Sequence, residues 1–456
     1  MNPYINVINP YNGQRVGTLP IATTTQVEQV VSRAKRAAQD FRFSTPHERR
    51  HLLNRLADLV ARDADELSNT ITKEMGKTLK ESRNEIRRAE QTLRLSGDAA
   101  TFLDGEVVHC AVAPGCADRQ AVITHVPTGV VGAITPFNYP VNLLCHKLGP
   151  AIAAGNGLVV KPSPKAPLAA DAFIRLCQEA GFPTDLVQVI HGGSATALSL
   201  AQSHIDLLTF TGGSVAGLAL KRAAGLVRCL MELGGNDPLF VLPDADLNKA
   251  VSTVVEQRFE IAGQSCAAIK KLYLHRDIAT QFTEALVEKM QGHRYGDPSN
   301  EQTQMGPVID DLAANDIMSR VQEAIDRGAR LLAGATREGN LLAPTILMDV
   351  PVDCRLFAKE TFGPVVAIRT FSDVDEVINE INKTDYGLQA GLFTNDHAIV
   401  RKFAKNLQVG GLMVNEGPDF RADHVPFGGI KSSGLGREGV RIAIREMSEQ
   451  HVLIDA

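Results

Sequence analysis

Apolar residues recur at three- and four-residue spacing over 24–42 and again over 47–97, among frequent Ala, Leu, Glu and Arg. That period gathers them on one face of a helix, so it predicts a helical layer on the N-terminal side. From about residue 122 the period changes. Short β-branched runs (VITHVPTGVVGAIT, NGLVVKPS, DLVQVIHG, IDLLTFTG) alternate with Gly/Pro turns and helical stretches. Strands alternating with helices predict right-handed βαβ units around a parallel sheet. A second series follows Gly235, with candidate strands DPLFVLP, KKLYLHR, GPVVAIRTF, YGLQAGLFT and GGLMVNEG and the helix DIATQFTEALVEKMQGH between them. The pattern therefore predicts two α/β lobes joined near Leu233–Gly235, without internal repeats. The final SEQHVLIDA predicts an exposed strand with an unpaired edge. Such an edge pairs with another sheet, and a partner subunit is the expected source.

At 456 residues, 44% hydrophobic and 22% charged, the chain is too long for one ordinary domain. The net charge of −5 and the lack of a basic stripe predict no nucleic-acid partner. No run approaches the roughly 20 apolar residues of a membrane span. The polar start, MNPYINVINPYNG, lacks the apolar core of a signal peptide. Cys110, Cys116, Cys145, Cys177, Cys229, Cys266 and Cys354 form no CxxC pair. Neither a metal site nor a disulfide framework is indicated, and a reduced, cytoplasmic protein is expected.

Three local contexts carry chemistry. Cys266 sits among small residues in Gly-Gln-Ser-Cys-Ala-Ala, which leaves room for substrate and backbone donors; most lone cysteines are merely small buried hydrophobes. Glu232 lies between Met231 and Leu233, before two glycines. Burial there would raise its pKa towards that of a general base; an inter-lobe ion pair is the plain alternative. Asn138, in Thr135-Pro136-Phe137-Asn138-Tyr139-Pro140 after the strand GVVGA, offers amide donors to an oxyanion where parallel sheets bind ligands, although Asn and Pro also simply favour turns.

Together these contexts resemble the aldehyde dehydrogenase family over essentially the whole chain. ELGGNDP, GQSC 34 residues beyond Glu232, PFNYP, FTGG, KETFGPV and PFGGIKSSGLGREG occur in the family's order. The resemblance implies an α/β protein with a Rossmann-type cofactor domain (1–109 and 127–234), an α/β catalytic domain (235–428) and a small oligomerisation β-extension (110–126 and 447–456). It implies Cys266 as nucleophile, Glu232 as general base, Asn138 with the Cys266 N–H as oxyanion donors, and Lys147 near the site, unless that lysine is a surface ammonium on a packed helix. Relatives that pass the acyl group to coenzyme A lack the glutamate, so a free acid is the implied product. A homodimer or homotetramer is expected.

For the cofactor, NAD or NADP, the resemblance implies Thr135, Pro136, Lys161, Ser163, Gly213, Ser214, Gly234, Glu360 and Phe362. The phosphate loop is expected at Phe210–Gly217, after DLLTF, with Ser214 standing in for the serine that relatives carry at position 213. Gly434-Leu435-Gly436-Arg437-Glu438-Gly439 matches G-x-G-x-x-G but follows no convincing βαβ strand, so it is expected to be a decoy. Pro164 stands where NAD-preferring relatives carry Glu, which leaves NADP open.

The substrate pocket is expected to include Arg88, His146, Ser265 and Arg421. Two arginines and a histidine would suit an anionic aldehyde. NEGPDFRADHVPFGG is similar to lactaldehyde, non-phosphorylating glyceraldehyde-3-phosphate and phosphonoaldehyde dehydrogenases. Ser265 departs from the Arg that phosphate-binding members carry. A succinate-semialdehyde-type enzyme is the alternative, and a cofactor-independent thiol hydrolase a remote one.

Overall fold

A computed structural model describes residues 3–455. The helical layer is Thr24–Phe41, Pro46–Arg62, Ala64–Met75 and Leu79–Ala99. Three of these helices open on a threonine whose hydroxyl and third following side chain close a capping box, at Thr23/Gln26, Thr45/Glu48 and Thr78/Glu81. Each box satisfies end N–H groups that the helix cannot reach itself. Ahead of them Tyr4–Ile8 and Arg15–Pro20 form an antiparallel hairpin. The sequence predicts only turns there; the turn between the strands uses Gly13 at φ 71°.

The first sheet runs, in space, Gly434–Leu435, Arg228–Glu232, Leu207–Thr211, Val130–Ile134, Gly157–Lys161, Val187–Val189. All neighbours are parallel except Gly434–Leu435, which pairs antiparallel with Met231 and Glu232. Both faces are covered. Val131 and Ala133 pack into the cluster under Pro46–Arg62, Ala64–Met75 and Leu79–Ala99, while Val130 and Ile134 of the same strand enter the opposite cluster with Thr24–Phe41, so the predicted helical layer is divided between the two faces. Two-sided burial explains the unbroken apolar runs of these strands. The second sheet has seven strands, Arg330–Ala333, Thr345–Met348, Val365–Phe371, Lys271–His275, Pro238–Val241, Gln389–Phe393 and Gly411–Val414. Only Arg330–Ala333 is antiparallel.

The third sheet joins Ser448–Asp455, Gln120–Pro127 and Glu106–His109. The terminal strand pairs antiparallel with its own chain, from Ser448 opposite Pro127 to Asp455 opposite Gln120. Residues 110–119 supply a 3₁₀ turn at Cys110–Val112 and bends rather than strand, while Glu106–His109 contributes a strand from within the segment assigned to the cofactor domain. Among the described residues no helix is long and apolar enough to cross a membrane.

Candidate active site

Strand order in the first sheet reverses between Val130–Ile134 and Leu207–Thr211, whose connections leave to opposite sides. A crevice forms outside the carboxyl ends at such a switch point. A cleft of about 500 Å³ lies there, lined by Thr135, Pro136, Lys161, Ser163, Gly213, Gly234, Glu360 and Phe362. Ser214 is not part of that lining. Its hydroxyl donates to the Ser432 carbonyl at 2.9 Å, so the side chain does not replace the serine of relatives as expected. Helix Ser214–Ala224 still opens at Gly213, with its first N–H groups uncapped by any side chain.

The lining fits a dinucleotide. Among the described residues the Lys161 ammonium donates only to the Pro162 carbonyl, at 2.9 Å, and burial lowers its pKa to about 8. Thr135 Oγ1 is buried without a partner. Glu360 accepts the Gly235 N–H at 3.2 Å, and a Cβ on Gly234 would collide with that carboxylate.

Cys266 is reached through a run of left-handed residues, Ile261 (φ 52°), Ala262 (φ 52°) and Gly263 (φ 69°). Two of these carry side chains, so the turn persists only where its surroundings hold it. Glu81 accepts the Ile261 N–H at 2.7 Å. The Gln264 amide donates to the Ile261 carbonyl at 3.0 Å and accepts the Ile309 N–H at 2.9 Å. Beyond the turn, the buried Lys270 ammonium donates to the Ser265 carbonyl at 2.9 Å and also to that of Cys266. Asn138 Nδ2 donates one proton to the Gln264 carbonyl at 2.9 Å, which fixes the amide beside the cysteine. Burial pushes the Cys266 thiol pKa up; the Lys270 charge works against it.

Glu232 ends its strand in the cleft, buried, with Oε2 unpartnered. Burial raises its pKa well above the ordinary range, and the charge of Glu438 raises it further. Glu438 behaves oppositely. Burial alone would raise it, but Lys147 (Nζ to Oε1, 3.0 Å) and Arg421 (Nη2 to Oε2, 2.9 Å) outweigh burial and hold it well below the ordinary range. Two neighbouring carboxyls pushed apart in this way divide into a proton acceptor and a fixed charge. Lys147 is 1% exposed and lines neither cavity, so it is not a surface ammonium.

A second cavity, of about 220 Å³, is lined by Arg88, Arg421, Ser265, Asp419, Asn138 and Cys266 among others. Cys266 and Asn138 therefore form a wall common to both spaces. His146 is not in this lining, contrary to expectation. It is buried, and its Nε2 lies 2.9 Å from Asp423 Oδ1. Arg88 Nη2 reaches the same oxygen at 2.8 Å. Arg88, His146 and Arg421 thus converge, and each is paired with Asp423 or Glu438.

A family model described as "Aldehyde dehydrogenase family" matches residues 2–453. The chain belongs to the aldehyde dehydrogenase family. It is an oxidoreductase of the aldehyde group that uses NAD or NADP. It is 41% identical over 452 residues to a 3-sulfolactaldehyde dehydrogenase of Priestia megaterium, covering 99% of this chain and 94% of that one. It is 37% identical to a sulfoacetaldehyde dehydrogenase of Neptuniibacter caesariensis, covering 100% of both. Among solved structures, the NADP complex of the glyceraldehyde-3-phosphate dehydrogenase GapN from Methanocaldococcus jannaschii aligns over 100% of both chains with TM-score 0.95 and 35% identity.

Within this aldehyde dehydrogenase, sequence reasoning missed Glu438, Asp423, Asp419 and Lys270. Glu438 lies inside the GLGREG match expected to be a decoy. Its strand Gly434–Leu435 docks on Glu232 and delivers Glu438 beside it. The one available signal was a carboxylate inside a glycine-rich family motif.

Proposed function

We propose that this enzyme oxidises a short anionic aldehyde, of the 3-sulfolactaldehyde kind, to the free acid through a thioester on Cys266. One observation carries the reading: Cys266 and Asn138 are shared by a dinucleotide-sized cleft and a smaller cavity bearing Arg88 and Arg421. The nicotinamide accepts a hydride when bound, with Lys161, the first turn of Ser214–Ala224 and Glu360 to hold the cofactor. Pro164 lines that cleft and bears no charge to repel a 2′-phosphate, so both NAD and NADP are accommodated. Cys266 Sγ bonds the aldehyde carbon. The free Asn138 amide proton and the Cys266 N–H receive the oxyanion. Glu232 removes the proton of the water that hydrolyses the thioester, and its raised pKa suits that task.

A second reading has its own support. Arg88 and Arg421 are already paired with Asp423 and Glu438, so an uncharged lactaldehyde-like substrate would leave no cation unsatisfied. Comparing kcat/KM for 3-sulfolactaldehyde and lactaldehyde by NAD(P)H formation decides between them; preference for lactaldehyde sinks the anionic reading. With Glu232→Gln, a stoichiometric burst of NAD(P)H followed by slow turnover is expected. Aldehyde-independent thioester hydrolysis without any NAD(P)H would point to a thiol hydrolase instead.

A further inference from the structure

Ser265 precedes the nucleophile, is 3% exposed and lines the smaller cavity. Its hydroxyl has a single proton, which it gives to Asp419 Oδ1 at 2.7 Å. Asp419 is itself fixed: its backbone N–H donates to Gln257 Oε1 at 3.0 Å, and Gln257 donates to Glu416 at 2.9 Å. Among the described residues its Oδ1 receives the Ser265 hydroxyl and its Oδ2 is buried without a partner. The carboxylate therefore has Ser265 as its one side-chain donor.

The consequence is directional. A serine whose proton is committed offers only lone pairs to whatever else approaches. It cannot donate to a sulfonate, a carboxylate or an aldehyde oxygen, and a substrate atom beside it must carry a donor of its own. Ser265 and Cys266 line the same small cavity, so a substrate whose aldehyde carbon is bonded to the sulfur presents its neighbouring atoms to the serine. Resting on the substrate reading above, we propose that Ser265, oriented by Asp419, receives a hydroxyl on the carbon next to the aldehyde, so that the enzyme selects 2-hydroxyaldehydes over their deoxy counterparts. Asp419 acts through Ser265 and is a positioning residue. A site built to bond a hydroxyl discriminates strongly against the analogue that lacks it, because its buried polar atom is then left unpaired.

The test is a square of four aldehydes, 3-sulfolactaldehyde, 3-sulfopropanal, lactaldehyde and propanal, which varies charge and hydroxyl independently. Assays run at mildly alkaline pH, since burial raises the Asp419 pKa. The hydroxylated member of each pair should show kcat/KM about tenfold higher, the size expected when a buried acceptor is otherwise left without its hydrogen bond. Ser265→Ala should bring the ratio in both pairs towards one. Asp419→Asn keeps an acceptor for the serine proton and should retain most of the preference, whereas Asp419→Leu should lose it; this pair reports even if Ser265→Ala fails to fold. A wild-type ratio near one, or a preference that survives both Ser265→Ala and Asp419→Leu, overturns the proposal. If the sulfonate brings no advantage while the hydroxyl preference holds, the anionic reading fails and the role of Ser265 stands.

Discussion

Glu438 receives the Lys147 ammonium at 3.0 Å, and both side chains are at most 8% exposed. Its charge is one cause of the raised Glu232 pKa. Glu438→Gln removes that like charge and leaves Lys147 and Arg421 uncompensated, and both changes favour ionised Glu232. A general base works above its pKa, so the acid limb of the kcat–pH profile should move to lower pH, by about one unit or more. Stopped-flow or steady-state kcat across pH checks this; a limb that stays put removes Glu438 from the electrostatics of the base. The variant should also lose about 1–3 kcal/mol of stability in denaturant unfolding, as buried donors lose their charged acceptor.

The Lys270 charge opposes burial at the Cys266 thiol, and its ammonium ties down the carbonyls of Ser265 and Cys266. In Lys270→Met the thiol should become harder to ionise. Alkylation of Cys266 by iodoacetamide should then require higher pH, and at neutral pH it should slow by about tenfold, one pKa unit's worth. An unchanged alkylation profile would leave Lys270 a purely structural tether.

How far the sequence could be read follows from where each signal resides. The parallel strands were legible because two-sided burial writes itself as local β-branched runs, as in Gly157–Lys161. The convergence of Cys266, Glu232 and Asn138 on one cleft was legible through motifs. Glu438 was not, because its role depends on Lys147, 291 residues away, and nothing near Gly436 or Gly439 encodes that meeting. His146 and Lys147 are sequence neighbours on the helix Asn142–Ala153, yet one turns to Asp423 and the other to Glu438, a division set by packing alone. The N-terminal hairpin was hidden for a related reason: in its strands Tyr4–Ile8 and Arg15–Pro20 only Val7 is buried, so no regular apolar face marks them.

Arg88 and Arg421 were expected to act alike, and their pairings separate them. Arg421 holds Glu438, so Arg421→Ala should depress kcat for charged and neutral aldehydes together. Arg88 is a quarter exposed beside Asp423, with a face available to the cavity. Arg88→Ala should cut kcat/KM for 3-sulfolactaldehyde about ten- to a hundredfold, and lactaldehyde far less. Equal losses on both substrates would deny Arg88 a part in anion binding.

Among the described residues, Glu106–His109 and Ser448–Asp455 are the outer strands of the three-stranded sheet, which exposes Val107, Val108, Val452, Leu453 and Ile454. Exposed apolar outer strands of this length recruit further strands or surfaces. The enzyme should therefore be at least a dimer, and deleting residues 448–456 should lower the mass seen by light scattering. An oligomer that survives the deletion assigns assembly to another surface.

Ser448–Asp455 pairs with a strand made more than three hundred residues earlier, as in the Thr124–His451 contact across 327 positions. On the ribosome, Gln120–Pro127 must therefore wait, one edge bare, through most of the elongation of the chain. Lys147 waits too, a cation destined for burial whose counter-charge has not yet been translated. Interrupted synthesis would release fragments with a sticky edge and an unneutralised core charge, which marks them for chaperones or proteases rather than for partial activity.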